Sequence, residues 1–162
     1  MRVGQGFDVH RFENVQLSGA SSRPLVLMGC VVPYSRALVG HSDADVMLHA
    51  LMDALLGAAG LGDIGQHFPD VDSAYLNVDS VQLLETVVGK VRSMNFEIVN
   101  VDVCLIGERP KIGPYRAIMC ERIAPVLGVE LTAINVKATT TEQLGFTGRR
   151  EGLAAQAVVL LD

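Results

Sequence analysis

The sequence predicts an α+β fold, a sandwich in which helices cover one face of a mixed β-sheet, ferredoxin-like in character. Three observations lead there. Short strand-like runs alternate with helical stretches of about four turns along all 162 residues. No repeat, linker or low-complexity tract divides the chain, so residues 1–162 read as a single domain. The last run, Leu153–Leu161, is almost continuously apolar, so helices or other subunits must cover it.

Arg2–His10 reads as a strand with little bulk at Gly4 and Gly6. Glu13–Pro24 is a polar loop, and Leu25–Pro33 a hairpin or bent strand that turns at Gly29. A helix follows in HSDADVMLHALMDALLGAAG, from His41 to Gly60. Ser42 precedes it as an N-cap, with Asp45 three residues on as in a capping box. Val46, Leu48, Leu51, Leu55 and Leu56 supply its apolar surface, and Gly57 and Gly60 mark its end. LGDIGQHFPDVDSAY is a turn-rich loop. Asp79–Met94 forms a second helix, with Val81, Leu84, Val87, Val88 and Val91 facing the core. Phe96–Ile106 is a strand, GERPKIGP a loop, Tyr115–Leu127 a third helix and Leu131–Thr140 a strand. Thr141–Gly152 is a loop before the final strand.

At 49% hydrophobic residues the chain has material for a core. A net charge of −5 argues against a nucleic-acid surface, so any bound anion must be met by local groups. No apolar run spans a bilayer, and MRVGQGFDVH lacks the pattern of a signal or transit peptide, which makes cytoplasm the expected location. Cys30, Cys104 and Cys120 fit neither a zinc knuckle nor a disulfide framework. They read as reduced thiols, mostly in the core.

The stretch GQGFDVHRF carries the first chemical signal. On a strand, Asp8 and His10 share a face while Phe7 and Val9 point the other way. A carboxylate and an imidazole suit Zn²⁺, but two ligands do not make a site. His49, in the helix interior, is the preferred third, with Asp45 one turn earlier to accept its second ring N–H. His41, before the helix, competes for that role and is better placed to meet an anion. Three protein ligands leave one tetrahedral position open. The plain alternative is a hydrogen-bonded Asp-x-His pair beside a satisfied histidine.

KATTTEQLGFTGRREG carries the second. Thr139, Thr140 and Thr141 offer hydroxyls at a turn, and Lys137 and Arg149 offer charge, the donors a diphosphate needs. Glu142 would repel phosphate unless a cation such as Mg²⁺ bridged them. Threonines ending a strand beside a solvated glutamate would read the same way. ERPKIG places Arg109 and Lys111 on a connector that either holds a nucleotide or is merely rigid. Asp70 and Asp72 in FPDVD read first as turn aspartates. Gly4-Gln5-Gly6 is no dinucleotide fingerprint, because no helix follows it at the required place.

Taken in order, GFDVH, HSDADVMLHALMDALLGAAGLGDIG, FPDVD, RPKI and VKATTTEQLGFTGRREG cover nearly the whole chain. Together they resemble the 2-C-methyl-D-erythritol 2,4-cyclodiphosphate synthases of non-mevalonate isoprenoid synthesis. The resemblance implies a homotrimer with active sites between subunits, and one Zn²⁺ per site on Asp8, His10 and His49. It implies that His41 and Ser42 face the phosphates. Asp63, Ile64, Gly65, Phe68, Pro69, Asp70 and Asp72 would hold the erythritol part. Gly107, Pro110, Lys111, Ile112 and Gly113 would line the cytidine pocket. Thr139, Thr140, Thr141 and Glu142 would hold the α- and β-phosphates, with Glu142 on a bridging Mg²⁺ or Mn²⁺. Phe146 and Arg149 match a phenylalanine and an arginine that the family also uses. A cavity on the trimer axis that binds an isoprenoid diphosphate is implied as well. Ala44 stands where many members have glycine, and the Glu13–Pro24 loop is longer than in many.

The implied reaction is that of a phosphorus–oxygen lyase. The 2-phosphate of 4-diphosphocytidyl-2-C-methyl-D-erythritol 2-phosphate attacks the β-phosphorus of the same molecule and CMP leaves. His41 and Thr140 would donate hydrogen bonds to the transition state. Two other readings use the same residues: a zinc-dependent nucleotide diphosphate hydrolase, and a non-catalytic trimer that binds CDP or an isoprenoid diphosphate.

Overall fold

The computed structural model describes residues 1–14, 23–69 and 78–162. In chain order the elements are β1 (Arg2–Arg11), β2 (Leu25–Leu27), β3 (Cys30–Val32), α1 (Val46–Ala59), α2 (Ile64–His67) and α3 (Ser80–Ser93). There follow β4 (Ile98–Ile106), α4 (Arg116–Leu127), β5 (Ile134–Thr139), α5 (Gly145–Gly148) and β6 (Gly152–Leu161). The main sheet runs β1-β6-β4-β5, with β6 antiparallel to both neighbours and β4 parallel to β5. The mixed α+β sheet is the one expected. Its connections depart from the ferredoxin-like order: β4, α4 and β5 join adjacent parallel strands directly, with no strand between them.

The period-2 pattern sorts the two sheet faces. Val101, Val103 and Leu105 of β4, Ile134 and Val136 of β5 and alternate residues of β6 are buried on the helix side. Phe7, Val9 and Val158 stand exposed on the other side, so helices cover only one face of the strand Leu153–Leu161.

α1 is the central helix. Twelve of its fourteen residues are buried, because it lies on β1 and β6 and is covered in turn by α3. The predicted apolar residues Val46, Leu48, Leu51, Leu55 and Leu56 are all buried, but the surface in closest contact with β1 is not among them. It is Ala50, Ala54 and Ala58, one residue per turn, seated on Gly4 and Gly6. A Cβ at Gly4 would lie 1.9 Å from the Ala54 carbonyl oxygen, and one at Gly6 1.9 Å from that of Ala50. The two glycines therefore let helix backbone rest directly on strand backbone. α1 ends as expected, at Gly60 in the left-handed region with φ 74°.

Its start differs from expectation. The helix begins at Val46, and Asp45 rather than Ser42 is the cap, accepting from the Met47 and Leu48 amides. Fully buried Asp45 also accepts from the Gly29 amide at 2.7 Å, which ties the β2–β3 turn to the helix. Met28 and Gly29 both have positive φ there, the geometry of a two-residue hairpin. Ala44 turns at φ 59°, a conformation that glycine adopts without strain.

Other boundaries move by a few residues. Helical turns at α2 and α5 interrupt predicted loops, and a 3₁₀ turn at Leu131–Ala133 precedes β5. The three cysteines are free thiols as expected; each is half-buried, with Cys30 and Cys120 packed against the core and Cys104 outside it. Among the described residues no helix is long and apolar enough to cross a membrane.

Candidate active site

Gly4, Gly6, Asp8 and His10 all point to the helix side of β1. The glycines bring α1 down onto the strand, and His49, just before Ala50, meets the two polar side chains beyond them. His10 Nε2 lies 3.0 Å from Asp8 Oδ2, His49 Nδ1 lies 3.1 Å from the same oxygen, and the two ring nitrogens are 3.1 Å apart. This near-equilateral triangle is slightly tighter than the roughly 3.3 Å edge of a tetrahedron of nitrogen and oxygen ligands about Zn²⁺. Three lone pairs converging this closely require a proton or a cation among them. Of the described residues, only Asp8, His10 and His49 form such a group. His41, the competing ligand, stands outside it.

Burial works against charge on Asp8, but the hydrogen bond from His10 and the close approach of His49 outweigh it and hold the carboxyl well below its ordinary range. Burial likewise opposes a charged His10, yet the bond to Asp8 and its negative charge push the imidazole above its ordinary value. A divalent cation must displace that His10 proton. Apparent metal affinity is therefore expected to rise with pH through and above the ordinary imidazole range, with proton release on binding. Calorimetric titration in buffers of different ionisation enthalpy reads the released proton directly.

The outer ring nitrogens are also engaged. His10 Nδ1–H donates to the Val39 carbonyl at 2.7 Å. His49 Nε2 lies 3.1 Å from both the Ser42 and the Ser80 hydroxyl oxygens. Asp45, the expected partner of that nitrogen, is occupied as the helix cap. Sequence reasoning missed Ser80 and Val39, and no local signal marks them, since Ser80 sits 31 residues from His49.

The triad opens on a cavity of about 460 Å³ lined also by His41, Ser42, Ile64, Gly65 and Phe68. These predicted phosphate- and erythritol-facing residues are thus brought together with the triad. Asp63 caps α2, and its carboxylate accepts from the Gln66 backbone at 3.0 Å and from its side-chain amide at 2.9 Å. Pro69 is exposed beside Phe68. Asp70 and Asp72 lie outside the described residues, as does most of the Glu13–Pro24 loop.

The remaining predicted residues form a second group. Gly107–Gly113 follows β4 and Thr139–Glu142 begins on the last residue of β5, and they are joined where the Gly107 amide donates to the Thr139 carbonyl at 3.0 Å. Glu108, not singled out from sequence, accepts from the Thr141 amide at 3.1 Å and the Gln143 amide at 3.2 Å. Thr140 Oγ1 donates to Glu142 at 2.7 Å, and Thr141 Oγ1 donates to the Leu144 carbonyl at 2.7 Å. Pro110 is half-buried, Lys111 and Gly113 are exposed, and Ile112 between them is buried. Two expected cations are otherwise engaged: Lys137 pairs with Asp102 on the neighbouring strand, and Arg149 grips Glu151 in a two-pronged ion pair. Phe146 is partly exposed on α5.

The two groups do not meet within one chain. Asp8, Ala155, Leu105 and Ala138 lie side by side across the four strands. Three strand spacings separate the triad from the threonine loop, about 14 Å. No residue of 107–113 or 139–142 lines the triad's cavity.

The model of the YgbB family matches residues 1–162. A 2-C-methyl-D-erythritol 2,4-cyclodiphosphate synthase of Desulfatibacillum aliphaticivorans is 56% identical over 162 residues, 100% of both chains. The bifunctional IspDF of Campylobacter jejuni superposes with a TM-score of 0.91 at 45% identity, over 99% of this chain and 42% of that one. A 2C-methyl-D-erythritol-2,4-cyclodiphosphate synthase structure in a CDP-bound form superposes with a TM-score of 0.87 at 35% identity, over 99% of this chain and 100% of that one.

Proposed function

The chain belongs to the YgbB family, and from that premise we propose that it converts 4-diphosphocytidyl-2-C-methyl-D-erythritol 2-phosphate to the 2,4-cyclodiphosphate and CMP. The observation that carries this reading is the Asp8–His10–His49 triangle opening on a cavity beside His41 and Ser42. In the reaction a 2-phosphate oxygen forms a bond to the β-phosphorus. The bond from that phosphorus to the bridging oxygen breaks, and CMP departs with the electron pair.

Asp8, His10 and His49 would hold Zn²⁺, and Glu142, with the substrate diphosphate, would hold Mg²⁺ or Mn²⁺. When bound, the two cations neutralise phosphate oxygens and so weaken the repulsion between two anionic ends of one molecule. The residues themselves position those ends. His41 and Ser42 donate to phosphate oxygens. Asp63, Ile64, Gly65, Phe68, Pro69, Asp70 and Asp72 hold the erythritol. The Gly107–Gly113 loop takes the cytidine, while Thr139, Thr140 and Thr141 donate to the diphosphate, Thr140 most strongly as charge builds on it. One carboxylate and two neutral imidazoles leave a zinc site with net positive charge, suited to phosphate.

The 14 Å gap between the halves supports a homotrimer in which one chain's cytidine and threonine loops face a neighbour's metal cavity. The open sheet face bearing Phe7, Val9 and Val158 is the surface such an assembly would bury. Phe146 and Arg149 as further substrate contacts, an isoprenoid diphosphate in a cavity on the trimer axis, and a cytoplasmic location complete the proposal.

Phosphorus NMR after incubation with the cytidyl substrate, Zn²⁺ and Mg²⁺ tests it. CMP and a cyclic diphosphate in equal amounts are expected. Solvent oxygen in an open-chain product would establish a hydrolase, and no CMP at all would leave a binding protein. Glu142→Gln is expected to lower the rate and flatten its dependence on added Mg²⁺. An unchanged Mg²⁺ titration would remove Glu142 from the second cation site.

A further inference from the structure

We propose that Asp43 and Ser80 are positioning residues that fix the hydrogen of the His49 ring on Nε2, and that this leaves the Ser42 hydroxyl hydrogen free for an anionic oxygen in the cavity. The Ser42 half rests on the reaction proposed above. The His49 half does not.

Counting hydrogens gives the direction of each bond. Asp43 Oδ1 accepts the Asp45 amide at 3.2 Å, and Oδ2 accepts the Ser80 amide at 3.0 Å. The Ser80 hydroxyl makes a short bond to Asp43 Oδ1, and a carboxylate held by these donors can only accept it. The one hydroxyl hydrogen of Ser80 is thereby committed to Asp43. Ser80 Oγ, 3.1 Å from His49 Nε2, must then accept from the ring, so Nε2 carries the hydrogen. The Nδ1 lone pair is left facing Asp8 and His10, the tautomer that binds a metal.

Ser42 follows by elimination. Its oxygen accepts the Ala44 amide at 3.1 Å and lies 3.1 Å from the same Nε2. A protonated Nε2 has no lone pair for the Ser42 hydrogen, which must point elsewhere. Ser42 lines the cavity, so its hydroxyl hydrogen is available to an anion that enters. Ser80 is fully buried and absent from the cavity lining. Two serines at equal distance from one nitrogen thus have opposite roles: one orients the ligand, the other meets the substrate.

The contrast between two variants tests this. Ser80→Ala is expected to weaken zinc binding about 10- to 100-fold, read by chelator competition. Ser42→Ala is expected to leave zinc affinity within about twofold. The reverse pattern, or equal losses, would overturn the assignment. Nitrogen-15 NMR of the zinc-loaded wild-type chain decides without any variant, should Ser80→Ala fail to fold. The His49 hydrogen is expected on Nε2 and protected from solvent exchange. A His49 ring hydrogen on Nδ1, or one that exchanges as fast as that of exposed His41, would refute the proposal. A chain that passes these tests yet releases no CMP would overturn the reaction and leave the proton assignment standing.

Discussion

His49→Ala is expected to strip the protein of its tightly bound metal and of its activity while leaving it folded. The substitution removes one of the three donor atoms that, among the described residues, converge on the site. Asp8 and His10, now two ligands on adjacent same-face positions of a strand, are left without the helix that closes the triangle. Lewis-acid stabilisation of phosphate charge contributes several kcal/mol, so turnover should fall roughly 10²- to 10⁴-fold or more. The fold should survive for reasons equally visible. The His49 ring faces the cavity and polar partners, so its loss removes none of the hydrophobic side chains that build the core. The two serines that contact its outer nitrogen keep other partners, Ser80 with Asp43 and Ser42 with the Ala44 amide. Metal content of the purified chain, together with far-ultraviolet circular dichroism and a rate measurement, checks all three expectations. Full zinc occupancy and full turnover in a folded variant would show that the ligand set is wrong.

The sequence shows that site unevenly, and the reason is physical. Asp8 and His10 are legible because strand period and spacing fix their common side, and their alternation with Phe7 and Val9 is local information. His49 is legible as the helical imidazole nearest in kind. What was not legible depends on contacts between distant segments. The serine at position 80 and the carboxylate at 43 reach each other only after α3 packs against α1, and no periodicity announces a hydroxyl partner. The expected pairing of Asp45 with His49 failed for a related reason. A buried carboxylate at a helix start is claimed first by the orphan amides of that helix and of the β2–β3 turn. Burial pushes its pKa up to about 6, with the charge of Asp43 adding to the effect, and the amide bonds oppose it. Lys137 and Arg149 read from the sequence as charge on offer to a diphosphate, because sequence shows the cation and not the strand or turn neighbour, Asp102 or Glu151, that pairs with it. The alanine contact of α1 with β1 was not legible because hydrophobic periodicity weights leucines, whereas close approach to a strand selects alanine.

Gly6→Ala follows from that last point, and it should damage the site without touching a ligand. The added methyl would lie 1.9 Å from the Ala50 carbonyl oxygen and 2.8 Å from the Ala54 amide nitrogen. Both are backbone atoms, so no side-chain rotation relieves the clash and α1 must lift from β1. Overpacking of this kind costs about 1–3 kcal/mol, which should appear as a lower denaturation midpoint. The metal site should suffer separately, because His49 precedes Ala50 on the lifted turn, while Asp8 lies two residues beyond Gly6 on the strand. Moving His49 away opens a triangle whose sides are now 3.0 to 3.1 Å, so zinc affinity should fall in the variant even where it remains fully folded. Gly57→Ala supplies the control on the same helix. A Cβ there would meet only the Gln5 carbonyl at 4.0 Å, and an alanine in place of a helix-interior glycine should stabilise by about 0.5–1 kcal/mol. If Gly6→Ala instead unfolded and bound zinc like the wild-type chain, backbone contact between β1 and α1 could not be what brings the imidazole of the helix to the carboxylate of the strand.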